Sequence, residues 1–101
     1  MKNILLVGKL LKNIPSEKDL IIKDARYFVA SDLKEVQQVF SDNTIDIVIM
    51  GAGIEIEKRL EIVGYIFKTS NTTSVHMKDW QTGPQGFIPF INHVLKGLLE
   101  E

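Results

Sequence analysis

The sequence has 101 residues, of which 45% are hydrophobic and 25% charged, with 12 basic and 13 acidic side chains. This length suits a single domain, residues 1–101, and the composition is that of a globular protein and not of a disordered chain. The formal net charge of −1 offers no basic excess for binding nucleic acid. Because the chain lacks cysteine, disulfides, thiolate metal sites and a cysteine nucleophile are excluded.

The apolar stretch within residues 1–15 is too short for a signal peptide or a membrane span. We therefore expect a cytoplasmic protein that has no membrane partner.

Four short apolar runs predict β-strands. They are Asn3–Gly8, Tyr27–Ser31, Ile45–Met50 and the weaker run Ser74–Met77. The first and third runs are almost continuously apolar instead of alternating, which is typical of strands covered by helices on both faces.

Helical patterns follow the second, third and fourth runs. Ser31 or Asp32 is expected to cap the first of these helices, with Glu35 placed for a capping box. The second carries a stripe that we expect to face the core, made of Ile56, Leu60, Val63 and Phe67. The last helix should begin near Gly86 or Phe87, so that Pro89 lies in its first turn.

The region between residues 9 and 26 supports two interpretations. Ser16 after Pro15 favours a helix that runs to Lys23 or Asp24. Alternatively, residues 19–24 form a strand, which would bring the sheet to five strands. The helix is the preferred prediction, because residues 23–26 make a poor hairpin turn. Strands alternating with helices then predict an open parallel sheet with helices on both faces.

Three segments resemble the receiver domains of bacterial response regulators. They are ILLVG at residues 4–8, Ala-Ser-Asp-Leu at 30–33 and DIVIM at 46–50, and the resemblance covers roughly residues 3–70. It implies a flavodoxin-like sheet with strand order 2-1-3-4, about one strand–helix unit short of a receiver. The last strand then corresponds to either the fourth or the fifth receiver strand.

The residues that receivers use for phosphorylation are replaced in this sequence. Gly8 and Lys9 stand where receivers carry an acidic pair, and Gly51 stands where they carry the phosphoacceptor aspartate. Glycine supplies neither a magnesium ligand nor a nucleophile. Asp46 cannot substitute, because it lies at the opposite end of the same predicted strand. We expect no phosphotransfer, no catalytic residue, no metal site and no cofactor.

The carboxyl ends of the strands offer an alternative function. In open parallel sheets, ligands bind there at the point where the strand order reverses. The crevice between strands one and three would bind a small anionic ligand or a nucleotide. Its candidate residues are Gly8, Lys9, Ser31, Gly51, Ala52, Gly53 and Lys78.

Neither histidine has an acidic residue at metal-ligand spacing. We expect His93 on the solvent-exposed side of the last helix. His76 lies within a predicted strand, where it is expected to be partly buried.

The leading interpretation is a non-enzymatic regulatory domain that acts through protein contacts and forms a homodimer. Aromatic residues and prolines concentrate between residues 79 and 90, and the helix that carries Ile56 and Phe67 is apolar over much of its circumference. The expected partner contacts are Trp80, Pro84, Phe87, Ile62, Tyr65 and Ile66.

Overall fold

The computed structural model describes residues 2–9, 20, 22, 24–51, 53–78 and 87–99. Within these ranges the chain forms four strands and three helices. In chain order they are β1 (Lys2–Val7), β2 (Ala25–Ala30), α1 (Leu33–Asp42), β3 (Ile47–Met50), α2 (Ile56–Thr69), β4 (Ser74–Met77) and α3 (Phe87–Leu99). The helix or strand predicted between residues 9 and 26 falls mostly outside the described residues.

The four strands form one sheet in the order β2-β1-β3-β4, and every neighbouring pair is parallel. The register places Val7 beside Ala30 and Met50, and Met50 beside Met77. This arrangement confirms the predicted α/β class and the strand order 2-1-3-4 of a flavodoxin-like fold.

Both faces of the sheet are buried, as the continuous apolar runs predict. On one face, Leu5 and Val7 pack with residues of α1 and α2, including the fully buried Val36. On the other face, Ile4 and Leu6 pack with Ile91 and Leu95 of α3. Because successive side chains of a strand point to opposite faces, each central strand contributes to both cores.

The start of α1 has the predicted capping residues. The Asp32 carboxylate accepts a hydrogen bond of 2.8 Å from the backbone N–H of Glu35. The Glu35 carboxylate in turn accepts a 2.6 Å bond from the N–H of Ser31. These reciprocal bonds satisfy backbone donors that have no partner within the helix.

The core-facing stripe predicted for α2 is mostly wrong: of its four residues only Val63, which is half-buried, packs against the core. Ile62 and Ile66 are 1% and 0% exposed and pack against the sheet, whereas Ile56, Leu60 and Phe67 are 52%, 57% and 59% exposed. Both stripes have helical spacing, so periodicity alone does not distinguish them. Ile62 and Ile66 face the sheet together with a charged residue, Arg59, which interrupts the apolar pattern at that side of the helix.

The last helix begins at Phe87, with Pro89 in its first turn, as predicted. Proline is tolerated there because the N–H groups of the first turn have no partner within the helix. Phe87, the first residue of α3, is half-buried and packs against the core on that face of the sheet.

Candidate functional site

The carboxyl ends of the strands lie side by side along one edge of the sheet. The residue that follows each strand continues the hydrogen-bond ladder: Gly8 N–H donates to the Ala30 carbonyl at 3.1 Å and Gly51 N–H donates to the Val7 carbonyl at 2.8 Å. Lys78 N–H donates to the Met50 carbonyl, also at 2.8 Å. Gly8, Gly51 and Lys78 therefore end three adjacent strands, and the strand order reverses between the first two.

Ser31 does not join this group. It follows β2, three strand spacings from Lys78, which corresponds to about 14 Å across the sheet. Its backbone N–H donates to the Glu35 carboxylate. A small anion cannot contact both Ser31 and Lys78, and the neighbouring carboxylate is unfavourable for an anion.

The aromatic ring of Phe87 lies against Gly51. A Cβ placed on Gly51 would stand 3.6 Å from Cε1 of that ring and 3.6 Å from the Val7 carbonyl oxygen. Gly51 is itself buried. The end of β3 therefore makes an apolar contact with the start of α3.

Asp46 lies at the opposite end of β3, as expected. Its carboxylate accepts a 2.8 Å hydrogen bond from the N–H of Asn3, and its own N–H donates to the Asn3 carbonyl. These bonds join the starts of β1 and β3, which is a structural task.

Lys9 and Gly53 are brought together on the surface. A Cβ on Gly53 would stand 3.3 Å from Cβ of Lys9, and both residues are exposed. The backbone at Gly53 thus lies so close to Lys9 that a side chain at position 53 would be crowded. Ala52, the residue between Gly51 and Gly53, lies outside the described residues.

Arg59 is a residue of this edge that the sequence interpretation did not include. It is 8% exposed, and its Nη1 donates a 3.2 Å hydrogen bond to the carbonyl oxygen of Lys78, which is itself 2% exposed. The signal was present in the sequence: Arg59 precedes Ile62 by three residues and Ile66 by seven, which is the spacing of one helix face.

The environment of Arg59 is unusual for a buried charge. Its Nε atom is buried and has no hydrogen-bond partner, the only side-chain nitrogen or oxygen in that state within the described ranges. A buried donor left without a partner costs about 1–3 kcal/mol, and a buried charge without a counter-charge costs more. Buried polar groups without a partner are rare in native proteins, and binding and catalytic sites are among the places where they occur.

The two histidines occupy different environments. His76 is half-buried on β4, with Nε2 3.2 Å from the Ser74 hydroxyl, and burial lowers its pKa. His93 is exposed on α3, as predicted. Within the part of the chain that the structure describes, no cluster of three or more His, Asp or Glu side chains is placed to hold a metal ion.

The expected partner contacts are only partly surface residues. Ile62 and Ile66 belong to the core, so they are not available to a partner. Tyr65 is half-buried and packs edge-on against Phe40 of α1, with ring centroids 5.9 Å apart. Trp80 and Pro84 lie outside the described residues.

The exposed apolar surface is instead a face of α2 that we call the outer face, made of Ile56, Leu60 and Phe67. At about 3.6 residues per turn, this face lies on the opposite side of the helix axis from Tyr65. Because Tyr65 contacts α1, the outer face points away from α1. No helix in the described ranges is long and apolar enough to cross a membrane.

Comparison with models of known protein families, with curated proteins and with solved structures finds no match to this chain.

Proposed function

We propose that this chain is a non-enzymatic regulatory domain that acts through protein contacts, and that its partner at the α2 outer face is a second copy of itself. The observation that carries the proposal is the exposure of Ile56, Leu60 and Phe67, each more than half exposed on one face of one helix. Apolar side chains grouped in this way on a small domain are typical of an interaction surface. The receiver resemblance of residues 3–70 supports the regulatory part of the proposal.

The charges beside the outer face favour an antiparallel pairing of two α2 helices. Glu57 and Lys68 are exposed, lie on the same side of the helix and are 11 residues, or about three turns, apart. In an antiparallel pair centred near residue 62, Glu57 of one copy approaches Lys68 of the other, twice by symmetry. In a parallel pair, each charge would instead face its own kind.

A glycine in the middle of α2 would allow two copies of this helix to approach closely. Gly64 lies in the middle of α2, is exposed, and a Cβ placed on it would meet no atom within 4 Å. Glycine within a helix costs about 1 kcal/mol relative to alanine, and nothing in the single chain requires it. In the antiparallel pair, Gly64 lies opposite Leu60 of the second copy and provides space for that side chain.

Sedimentation or light scattering over a concentration series tests the proposal. We expect a reversible dimer whose dissociation constant rises about tenfold or more for Leu60→Gln, because a buried leucine contributes about 1.5–3 kcal/mol. Leu98→Gln is the matched control, since Leu98 is 41% exposed on α3, away from α2. A strictly monomeric protein at millimolar concentration, or equal effects of both variants, would contradict the proposal.

A second pair of variants separates association from folding. Gly64→Ala should raise the stability of the single chain by about 1 kcal/mol through helix propensity and yet weaken the dimer. Gly97→Ala in α3 adds a Cβ in equally open space and should raise stability without changing association. If Gly64→Ala leaves the dissociation constant unchanged, α2 does not pair through Gly64.

A further inference from the structure

Arg59 carries a positive charge into the interior beside the carboxyl end of β4. Nη1 is bonded to the Lys78 carbonyl, and Nε is buried without a partner. No carboxylate of the described residues forms an ion pair with this guanidinium, and the neighbouring acidic residues Glu55 and Glu57 are exposed. Among the residues that the structure describes, the environment therefore supplies a carbonyl dipole but no counter-charge.

The orientation of the guanidinium determines which of its edges is available. Nη1 donates to the Lys78 carbonyl, and the unpartnered donor, Nε–H, belongs to the other edge of the guanidinium, which it shares with Nη2–H. That edge carries two parallel N–H donors, which fit the two oxygens of a carboxylate or phosphate group.

The first turn of α2 adds further donors at the same place. Arg59 lies in this turn, and its own N–H is bonded to the Glu55 carbonyl. Glu55, the N-cap residue, makes no side-chain hydrogen bond to the turn. The first backbone N–H groups of α2 therefore lack a side-chain cap, and the positive end of the helix dipole lies in the turn that contains Arg59.

We propose that Arg59 binds an oxyanion, the phosphate or carboxylate group of a small ligand, through the Nε–H and Nη2–H edge of its guanidinium at the start of α2. The site is independent of the proposed dimer. It lies one strand away from the Gly8–Gly51 junction that fold analogy indicates, next to β4 instead of between β1 and β3. Since Arg59 is 8% exposed, ligand entry displaces the groups that cover Nε.

The chain contains an internal control for the test. It has two arginines, Arg26 and Arg59, and Arg26 is exposed on β2. The ¹⁵N-labelled full chain therefore gives two Arg Nε–H resonances in an NMR spectrum, and the spectrum of Arg26→Lys assigns them. Inorganic phosphate and sodium acetate are titrated separately, with sodium chloride at matched ionic strength as the reference.

We expect the Nε–H resonance of Arg59 and the first-turn amides of α2 to shift saturably, with a dissociation constant on the order of 1–10 mM for so small an anion. The Arg26 resonance should follow the chloride reference. A response to phosphate alone indicates a phosphate group, a response to acetate alone a carboxylate, and a response to both an oxyanion site without preference. If neither anion shifts Arg59 more than chloride does, the proposal is wrong.

Variants provide a second, independent readout. In a thermal-shift titration with the more effective anion, Arg59→Gln should lose the saturable stabilisation. Lys58→Gln, which removes an exposed charge from the neighbouring position of the same turn, should retain it. If Arg59→Gln does not fold, the resonances of the unmodified chain still decide. Equal responses of the two variants would overturn the assignment to Arg59.

Discussion

Single residues of α2 determine which side of the helix belongs to the core. Ile62 and Leu60 are similar in size and two positions apart, yet one is 1% exposed and the other 57%. The difference arises from the rotation of the helix about its axis. It also determines that Arg59, next to Leu60 in sequence, enters the interior.

Truncating these two side chains should have very different effects on stability. We expect Ile62→Ala to lower the free energy of unfolding by about 2–5 kcal/mol, because it leaves a cavity against the sheet. Leu60→Ala, the matched control, should change it by less than about 1 kcal/mol in the single chain. Urea unfolding at micromolar concentration measures both. A larger loss for Leu60→Ala than for Ile62→Ala would mean that α2 presents its other apolar stripe to the sheet, and equal losses would contradict the observed burial.

A local hydrogen bond fixes the start of α1, and its contribution to stability can be tested by substitution. Asp32→Ala removes the acceptor for the Glu35 N–H and should cost about 1 kcal/mol of unfolding free energy. Asp32→Ser keeps an acceptor at the N-cap and should recover most of that loss. Urea unfolding of both variants provides the measurement. If alanine is as stable as serine, the cap contributes nothing measurable to α1.

The contact between the end of β3 and the start of α3 is a second feature at the scale of the elements. Residues 51–54, directly after β3, contain two glycines and no carboxylate, and the start of α3 places the Phe87 ring against Gly51. The carboxyl end of β3 is thus packed by an apolar side chain. The buried arginine near this edge of the sheet, Arg59, lies on α2.

At the scale of the whole molecule, half-buried groups connect stability to pH. Burial lowers the pKa of His76 in the folded state, so below about pH 6.5 the unfolded chain binds more protons than the folded one. Stability therefore rises with pH through this range, and the contribution of His76 is lost as the pH falls through its folded-state pKa.

Urea unfolding between pH 7.5 and 5.5 tests this linkage. The loss of stability on acidification should be smaller in His76→Gln than in the unmodified protein. His93→Gln, the same change at an exposed position of α3, should follow the unmodified protein. If His76→Gln and the unmodified protein lose stability in parallel, another group is responsible for the pH dependence.

Much of the architecture follows from the sequence by itself. The continuous apolar runs predict strands buried on both faces, Asp32 and Glu35 predict the start of α1, and Pro89 predicts the start of α3. The absence of carboxylates at Gly8 and Gly51 likewise follows from the residues alone. These features depend on local chemistry and on periodicity, which short segments contain in full.

The tertiary structure alone decides how these elements face one another. Periodicity reveals that α2 has apolar stripes, but only packing against the sheet selects Ile62 and Ile66 over Leu60 and Phe67. The same packing buries Arg59, brings its Nη1 to the Lys78 carbonyl and leaves its Nε without a partner. Such contacts join residues far apart in sequence, and their geometry depends on the rotation of a whole helix, which no local pattern contains.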